Sequence, residues 1–292
     1  MADVIILGLG PAGISAALYT ARAGLDTLVL GREGGSLAKT DRIENYYGFA
    51  EPVSGRELLH NGAAQARRVG AKLVEDEAVG IAYDGEFAVS TASETYRAPY
   101  LVLATGSQRR APNLPGLAEF EGRGVSYCAV CDGFFYRKKN VAVLGAGDYA
   151  LHEAKELLPL AAKVTILTDG KEPEADFPPE MAVETRKLAA LTGDGPLRGV
   201  RFTDGTELAA DGLFVALGVA GSVDFARKLG VETNGSSVSV DENRQTNVPG
   251  LYAAGDCTGG LLQISKAVCD GAIAGTSIVK AFRQAKAESA HS

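Results

Sequence analysis

At 292 residues the chain is long enough for two modest domains, each with a buried core. A net charge of -7 excludes non-specific nucleic-acid binding, which needs a basic footprint. With 46% apolar and 22% charged residues, and no apolar run of membrane-spanning length, the composition is that of a globular protein acting off the membrane. Met1-Ala2-Asp3 leads straight into an apolar stretch without a charged leader, so a cytoplasmic location is expected.

Val4-Ile5-Ile6-Leu7 is a continuous apolar run, the pattern of a strand covered on both faces in a parallel sheet. Gly8-Leu9-Gly10-Pro11-Ala12-Gly13 follows at once, and 14–23 reads as a helix stopped by Gly24. A Gly-x-Gly-x-x-Gly turn between a strand and a helix is the dinucleotide fingerprint, with a pyrophosphate resting on amides at the helix start. Thr27-Leu28-Val29-Leu30 supplies the second strand on schedule. The ribose-binding acid expected at its end is displaced, since Gly31-Arg32 stands there with Glu33 just beyond. Ser54-Gly55-Arg56-Glu57 has capping-box spacing and opens a helix expected to run to about 69, with Gly70 as its stop. A small hairpin is expected over 87–96. Tyr100-Leu101-Val102-Leu103-Ala104 is another buried strand, and Pro112 with Pro115-Gly116 reads as a linker.

Next comes Tyr127-Cys128-Ala129-Val130-Cys131-Asp132-Gly133-Phe134-Phe135. Two thiols at this spacing can close a small disulfide ring and make one thiol unusually acidic, and Asp132 stands beside them to move a proton. Zinc sites use the same spacing but want about four N or S ligands. The other cysteines, Cys257 and Cys269, form no second pair, and His60, His152 and His291 show no ligand spacing. No metal is expected, and redox chemistry is the favoured reading. Cys257 and Cys269 are expected as small buried apolar residues.

A second unit follows the dithiol. Asn140-Val141-Ala142-Val143-Leu144 is a strand, Gly145-Ala146-Gly147 a second glycine turn, and Lys163-Val164-Thr165-Ile166-Leu167 the next strand. Leu213-Phe214-Val215-Ala216-Leu217 is a further strand, with 218–221 as a return linker. Gly250-Leu251-Tyr252-Ala253-Ala254-Gly255-Asp256 ends a strand on an acid, and a small-residue helix is expected over 264–281.

Together these motifs resemble the low-molecular-weight thioredoxin reductases, over nearly the whole chain. The resemblance rests on 8–13, Ile43-Glu44-Asn45-Tyr46, Ala104-Thr105-Gly106, 128–135, Ala253-Ala254-Gly255-Asp256 and Gln263. It implies an α/β fold of two dinucleotide-binding (Rossmann-like) domains, the second inserted into the first. The implied boundaries are 1–113 and 219–292 for an FAD-binding domain and 114–218 for a pyridine-nucleotide-like domain carrying the cysteines. By resemblance, Gly8, Gly10, Pro11, Ala12 and Gly13 hold the FAD pyrophosphate, and Arg32, Glu33, Ser36, Leu37 and Asn45 line the same cofactor. Ala104, Thr105 and Gly106 add a further wall. Gly255 and Asp256 hold the ribityl-phosphate region, and Gln263 and Ile264 lie near the pyrimidine edge of the isoalloxazine. Cys131 faces the flavin, Cys128 attacks a partner disulfide, and Asp132 is the acid–base residue. The inserted domain is expected to swing about linkers near 112–116 and 218–221. Thioredoxin is the expected substrate and a homodimer the expected assembly.

Where NADPH-using members carry an arginine-rich 2′-phosphate clamp, this chain reads Thr168-Asp169-Gly170-Lys171-Glu172-Pro173-Glu174-Ala175-Asp176. Four acids and one lysine repel a phosphate. Tyr149 puts a ring into the second glycine turn, and the 168–213 interval is short for a full nucleotide-binding subdomain. Asp169 keeps an NADH reading open, because an acid at a strand end can accept from a 2′-hydroxyl. Glu44-Asn45-Tyr46-Tyr47-Gly48-Phe49 and Gly221-Ser222-Val223-Asp224-Phe225-Ala226 are similar to the ferredoxin-dependent flavin branch of the family, which implies ferredoxin as electron donor. Arg137-Lys138-Lys139 is the densest basic run available to receive an acidic ferredoxin. The alternatives are an NAD(P)H-dependent thioredoxin reductase, an FAD-dependent dithiol oxidase, and a flavin-binding redox sensor.

Overall fold

A computed structural model of the chain describes residues 2–32, 35, 37–106, 112–217 and 221–289. In chain order its principal elements begin β1 (Val4–Leu7), α1 (Pro11–Arg22), β2 (Thr27–Gly31), α2 (Gly55–Arg68), β3 (Lys72–Glu75), β4 (Tyr100–Leu103) and β5 (Val125–Ser126). They continue with α3 (Ala129–Asp132), β6 (Asn140–Leu144), α4 (Asp148–Leu157), β7 (Lys163–Leu167), β8 (Ala182–Glu184) and β9 (Gly212–Val215). The chain closes with α5 (Ser222–Lys228), β10 (Leu251–Ala253) and α6 (Ile264–Ser289). It packs as two units, Met1–Gln108 with Gly221–Ser292, and Arg109–Ala220 between them. No helix among the described residues is long and apolar enough to cross a membrane.

The first unit is built on a parallel sheet of order β10–β4–β1–β2–β3. All four residues of β1 are buried, as the apolar run requires of a central strand covered on both faces. Val4 pairs with Thr27 on one side and Tyr100 on the other, so β1 and β4 end in register and Gly8 stands beside Ala104. The core gathers Val4, Ile6, Ala16, Val29, Val102, Ala274 and Ile278. α1 and α6 approach closely because α6 carries glycines there; a Cβ on Gly271 would lie 2.1 Å from Ala12 O. The Ser54 cap holds, with its hydroxyl accepting the Glu57 N–H at 3.1 Å, and Gly70 follows the helix at φ +100°.

Two elements differ from expectation in this unit. The expected hairpin is a three-stranded antiparallel sheet, since Gly80–Tyr83 also pairs with Phe87–Ser90. That strand is four residues long and half exposed, too short to show a period. α6 runs eight residues past 281, to Ser289, because 282–289 contains good helix formers and neither glycine nor proline.

The second unit is a parallel sheet of order β8–β7–β6–β9–β5. The short 168–213 interval supplies β8 and then three antiparallel strands, Leu188–Gly193, Leu197–Phe202 and Glu207–Ala209. Their core is Leu117, Phe120, Leu144, Leu191, Phe202 and Leu213. Pro115 and Gly116, read from sequence as linker, are packed into this unit: Pro115 O accepts the Leu191 N–H at 2.9 Å, and Gly116 lies at φ +90° against Leu191. Of the expected return linker, 218–220 lies outside the described residues.

Candidate active site

The first glycine turn is shaped by what its residues lack. Gly8 sits at φ +124°, and a Cβ there would lie 2.2 Å from Ala104 O. A Cβ on Gly13 would lie 1.9 Å from Gly8 O. These two glycines let strand, turn and helix close on one another. Gly10 is different: a Cβ built on it meets nothing within 4 Å. Gly10 is also the N-cap of α1, with no side-chain cap and Pro11 at the first helical position, so the helix start is open to an anionic group. Gly255, at φ +84°, brings the turn after β10 onto the same place; its added Cβ would stand 2.8 Å from that of Ala12. The ends of β1, β4 and β10 therefore converge on one cradle at the carboxyl edge of the sheet, where open α/β sheets bind ligands. This is a cradle that fits the pyrophosphate of FAD, glycine where the backbone must close and open space where the phosphates would lie.

The other expected cofactor residues fall around it unevenly. Thr105 exchanges hydrogen bonds with Ser222: the Ser222 N–H reaches Thr105 Oγ1 at 2.7 Å and the hydroxyls meet at 2.8 Å. Gly106 stands at φ +81° with open space beside it. Asp256 opens a short 3-10 turn and is half-buried. Asn45 Nδ2 donates to Gln263 Oε1 at 3.0 Å, which joins two expected cofactor residues 218 positions apart. Ile264 begins α6 directly after them. Arg32 is exposed and paired with Glu77 at 2.9 Å. Leu37 packs its carbonyl against the start of α2, where Gly55 leaves room for it. Glu33 and Ser36 lie outside the described residues.

In the second unit Cys128 and Cys131 form a disulfide with their Cα atoms 5.3 Å apart. Cys128 is the N-cap of α3 and is 4% exposed, whereas Cys131 is exposed. The Cys131 N–H points at Cys128 Sγ, 3.1 Å away. An amide so placed stabilises negative charge on that sulfur, so Cys128 is the better thiolate when the bond opens. Two neighbours that sequence reasoning missed hold this turn. Ser126 Oγ donates to Asp132 Oδ2 at 2.6 Å and accepts the Cys128 N–H at 3.1 Å. Glu153, buried on α4, accepts the Ala129 N–H at 2.7 Å. Burial lifts the Tyr136 phenol above its ordinary range, aided by the charges of Asp132 and Asp211. Phe134 and Phe135 are 65% and 69% exposed beside the disulfide, with the Arg137 guanidinium over Phe134 at 5.6 Å. Exposed aromatic rings rimmed by cations suit a protein partner.

The acidic segment lies over the second glycine turn. The Glu174 and Ala175 N–H groups both donate to Ala146 O, at 2.7 and 3.1 Å, folding the acidic segment back across the turn. Glu174 Oε2 comes within 3.5 Å of where a Gly147 Cβ would stand. Tyr149 is 2% exposed in the first turn of α4. Asp169, at φ +53°, accepts the Leu188 N–H at 2.9 Å and pairs with Lys187 at 3.2 Å. Arg186 is engaged by Glu184 at 2.5 Å and by Asp204 at 3.2 Å.

Cys257 is buried, its Sγ against Leu103 O and Ala254 O, and burial pushes its thiol up to about 11. Cys269 departs from expectation and is exposed. The buried stripe of α6 runs through Ala267, Asp270, Ala274 and Ile278, and position 269 falls off it.

Residues 2–271 match the family model described as pyridine nucleotide-disulphide oxidoreductase. A thioredoxin reductase of Listeria innocua is 37% identical, covering 97% of this chain and 95% of its own. Among solved structures, the atypical thioredoxin reductase TRi of Desulfovibrio vulgaris Hildenborough is 44% identical over 97% of this chain and 99% of its own, with a TM-score of 0.92. A ferredoxin-flavin thioredoxin reductase of Clostridium acetobutylicum is 31% identical over 97% and 98%, with a TM-score of 0.73. The chain thus belongs to the pyridine nucleotide-disulphide oxidoreductases and, within them, to the thioredoxin reductases, FAD-binding flavoproteins that reduce a disulfide.

Proposed function

We propose that this reductase takes its electrons from reduced ferredoxin rather than from NADPH or NADH, and passes them through FAD and the Cys128–Cys131 disulfide to thioredoxin. The observation that carries the reading is the acidic segment across the second glycine turn, with Glu174 at Gly147 where the phosphates of a pyridine nucleotide would need to lie. Asp169 already accepts the Leu188 N–H and pairs with Lys187, contacts that compete with a ribose hydroxyl for its carboxylate. Arg186, the arginine nearest the end of β8, is tied to two carboxylates rather than free to meet a 2′-phosphate. Likeness to the ferredoxin-flavin enzyme of Clostridium acetobutylicum points the same way.

The energetics favour it. Plant-type ferredoxins lie near roughly -400 mV and thioredoxin near roughly -270 mV, so a two-electron transfer is downhill by about 6 kcal/mol. Overall, two reduced ferredoxins and two protons convert one thioredoxin disulfide to a dithiol. When bound, FAD supplies the conversion of single electrons into pairs. The exposed Cys131 sulfur receives the pair, and the Cys128 sulfur leaves as a thiolate steadied by the Cys131 N–H. That thiolate attacks the thioredoxin disulfide, Asp132 exchanges the proton, and Cys131 resolves the mixed disulfide.

A pyridine-nucleotide reading has one observation in its favour: the strand–glycine turn–helix unit of β6, Gly145-Ala146-Gly147 and α4 is intact, with Gly147 an uncapped helix start. Steady-state thioredoxin reduction separates the two. Reduced ferredoxin as sole donor should sustain turnover while NADPH and NADH do not; turnover on either nicotinamide alone would remove the ferredoxin reading.

A further inference from the structure

Directly beneath the Gly255-Asp256 turn, three charged side chains meet. Asp270 on α6 is 1% exposed. Its Oδ2 lies 2.8 Å from Lys266 Nζ and its Oδ1 3.1 Å from Arg244 Nε. The same carboxylate accepts the Gly255 N–H at 3.1 Å. Lys266 Nζ donates to Gly255 O and to Thr258 Oγ1, each at 2.7 Å. Both polar groups of Gly255 are thereby gripped by one acid and one base, and Gly255 is the residue that closes on Ala12 at the FAD cradle.

Holding the turn does not by itself require charge. A neutral amide at 270 would accept the Gly255 N–H as well, and burying ions is costly unless they do something more. Within these contacts two cations meet one carboxylate, next to a site for an anionic cofactor, and the further carboxylate of Asp256 stands in the turn itself. FAD brings a charged pyrophosphate, and reduction adds further electron density. A nearby fixed cation favours both.

We infer that Lys266 is a positioning residue for FAD, holding the 255–258 turn against the glycine cradle while its positive charge favours the reduced over the oxidised cofactor. Lys266→Met leaves a neutral Arg244–Asp270 pair. Asp270→Asn keeps the acceptor for Gly255 and leaves two cations unopposed. The two variants thus change the local charge in opposite directions.

The test uses the apo-protein and the full holo-protein together. FAD affinity is followed by flavin fluorescence on the apo-protein, the flavin midpoint potential by equilibration with a reference dye, and thermal unfolding on both forms. Lys266→Met is expected to weaken FAD about tenfold and to cut the preference for the reduced cofactor about tenfold, a fall of ~30 mV for a two-electron couple. Asp270→Asn should raise the potential, and Lys266→Arg should restore both affinity and potential. An unchanged potential in Lys266→Met, whatever happens to its melting temperature, would reduce the lysine to a structural brace. Shifts of the same sign in Lys266→Met and Asp270→Asn would equally overturn the inference.

Discussion

Replacing Gly10 and Gly13 separately by alanine tests whether the first glycine turn is a cofactor cradle or only a tight connection. At Gly13 the new Cβ would stand 1.9 Å from Gly8 O and 3.3 Å from Ile6 Cγ2. Gly8 belongs to the turn that leaves β1 and Ile6 to the sheet core, so helix and strand must part by about 1 Å, and overpacking of this kind costs ~1–3 kcal/mol. At ~2–4 °C per kcal/mol, the apo-protein should melt about 2–12 °C lower. At Gly10 the new Cβ meets no protein atom within 4 Å, and φ -79° and ψ -179° suit alanine. The apo-protein should therefore melt within about 2 °C of the parent, since a substitution of this sort is worth only ~0.5 kcal/mol. If a pyrophosphate fills that space, however, FAD affinity should fall at least about tenfold, or ~1.4 kcal/mol. Calorimetry of the apo-proteins and fluorescence titration with FAD read both effects. A Gly10→Ala protein that binds FAD as the parent does, or that melts as low as Gly13→Ala, would refute the assignment of the cradle.

Four further outcomes follow from the geometry. Ser126→Ala removes the donor to Asp132 and should slow thiol–disulfide interchange with thioredoxin about tenfold, the worth of a hydrogen bond to a charged group, with flavin reduction unchanged in rapid mixing. Cys128→Ser should permit reduction of the flavin yet give no multiple-turnover reduction of thioredoxin; normal turnover would end the scheme. Neutralising Arg137, Lys138 and Lys139 together should lower the ferredoxin association rate and flatten its salt dependence, and an unchanged on-rate would remove that patch from consideration. Cys269 should be alkylated in the native protein at pH 8, whereas Cys257, held protonated by burial up to about 11, should react only on unfolding or as pH approaches that value. Because its folded value is raised, the stability that the Cys257 thiol contributes is whole below the unfolded value of about 8.5 and is lost as pH climbs through the folded one.

What the sequence reveals here is whatever depends on backbone shape. Gly8 and Gly13 must be glycine because a carbonyl oxygen occupies the place of a side chain, so the turn is legible from the letters alone. The apolar runs of β1 and β4 show the parallel sheet for the same reason, since burial on both faces leaves no polar alternation. The supporting polar contacts are another matter. Ser126 with Asp132, Glu153 with Ala129, and Lys266 with Asp270 and Gly255 are single side chains meeting across turns or between helices. No period or spacing announces them, and only the i,i+4 separation of Lys266 and Asp270 offered a hint. The acids of 169–176 were visible as charge, but not the backbone bonds from Glu174 and Ala175 that lay them over Ala146. For Cys269 residue type points inward, whereas the helical spacing of Ala267, Asp270 and Ala274 puts it off the buried stripe.

We propose that the acidic segment folded over the second glycine turn accompanies an exchange of a nicotinamide for an iron–sulfur donor. Anaerobic rapid mixing of the oxidised holo-protein with NADPH, NADH and reduced ferredoxin in separate shots addresses it most directly. The flavin absorbance should bleach promptly with reduced ferredoxin and stay unchanged with either nicotinamide at millimolar concentration. Prompt bleaching by NADPH or NADH would contradict it.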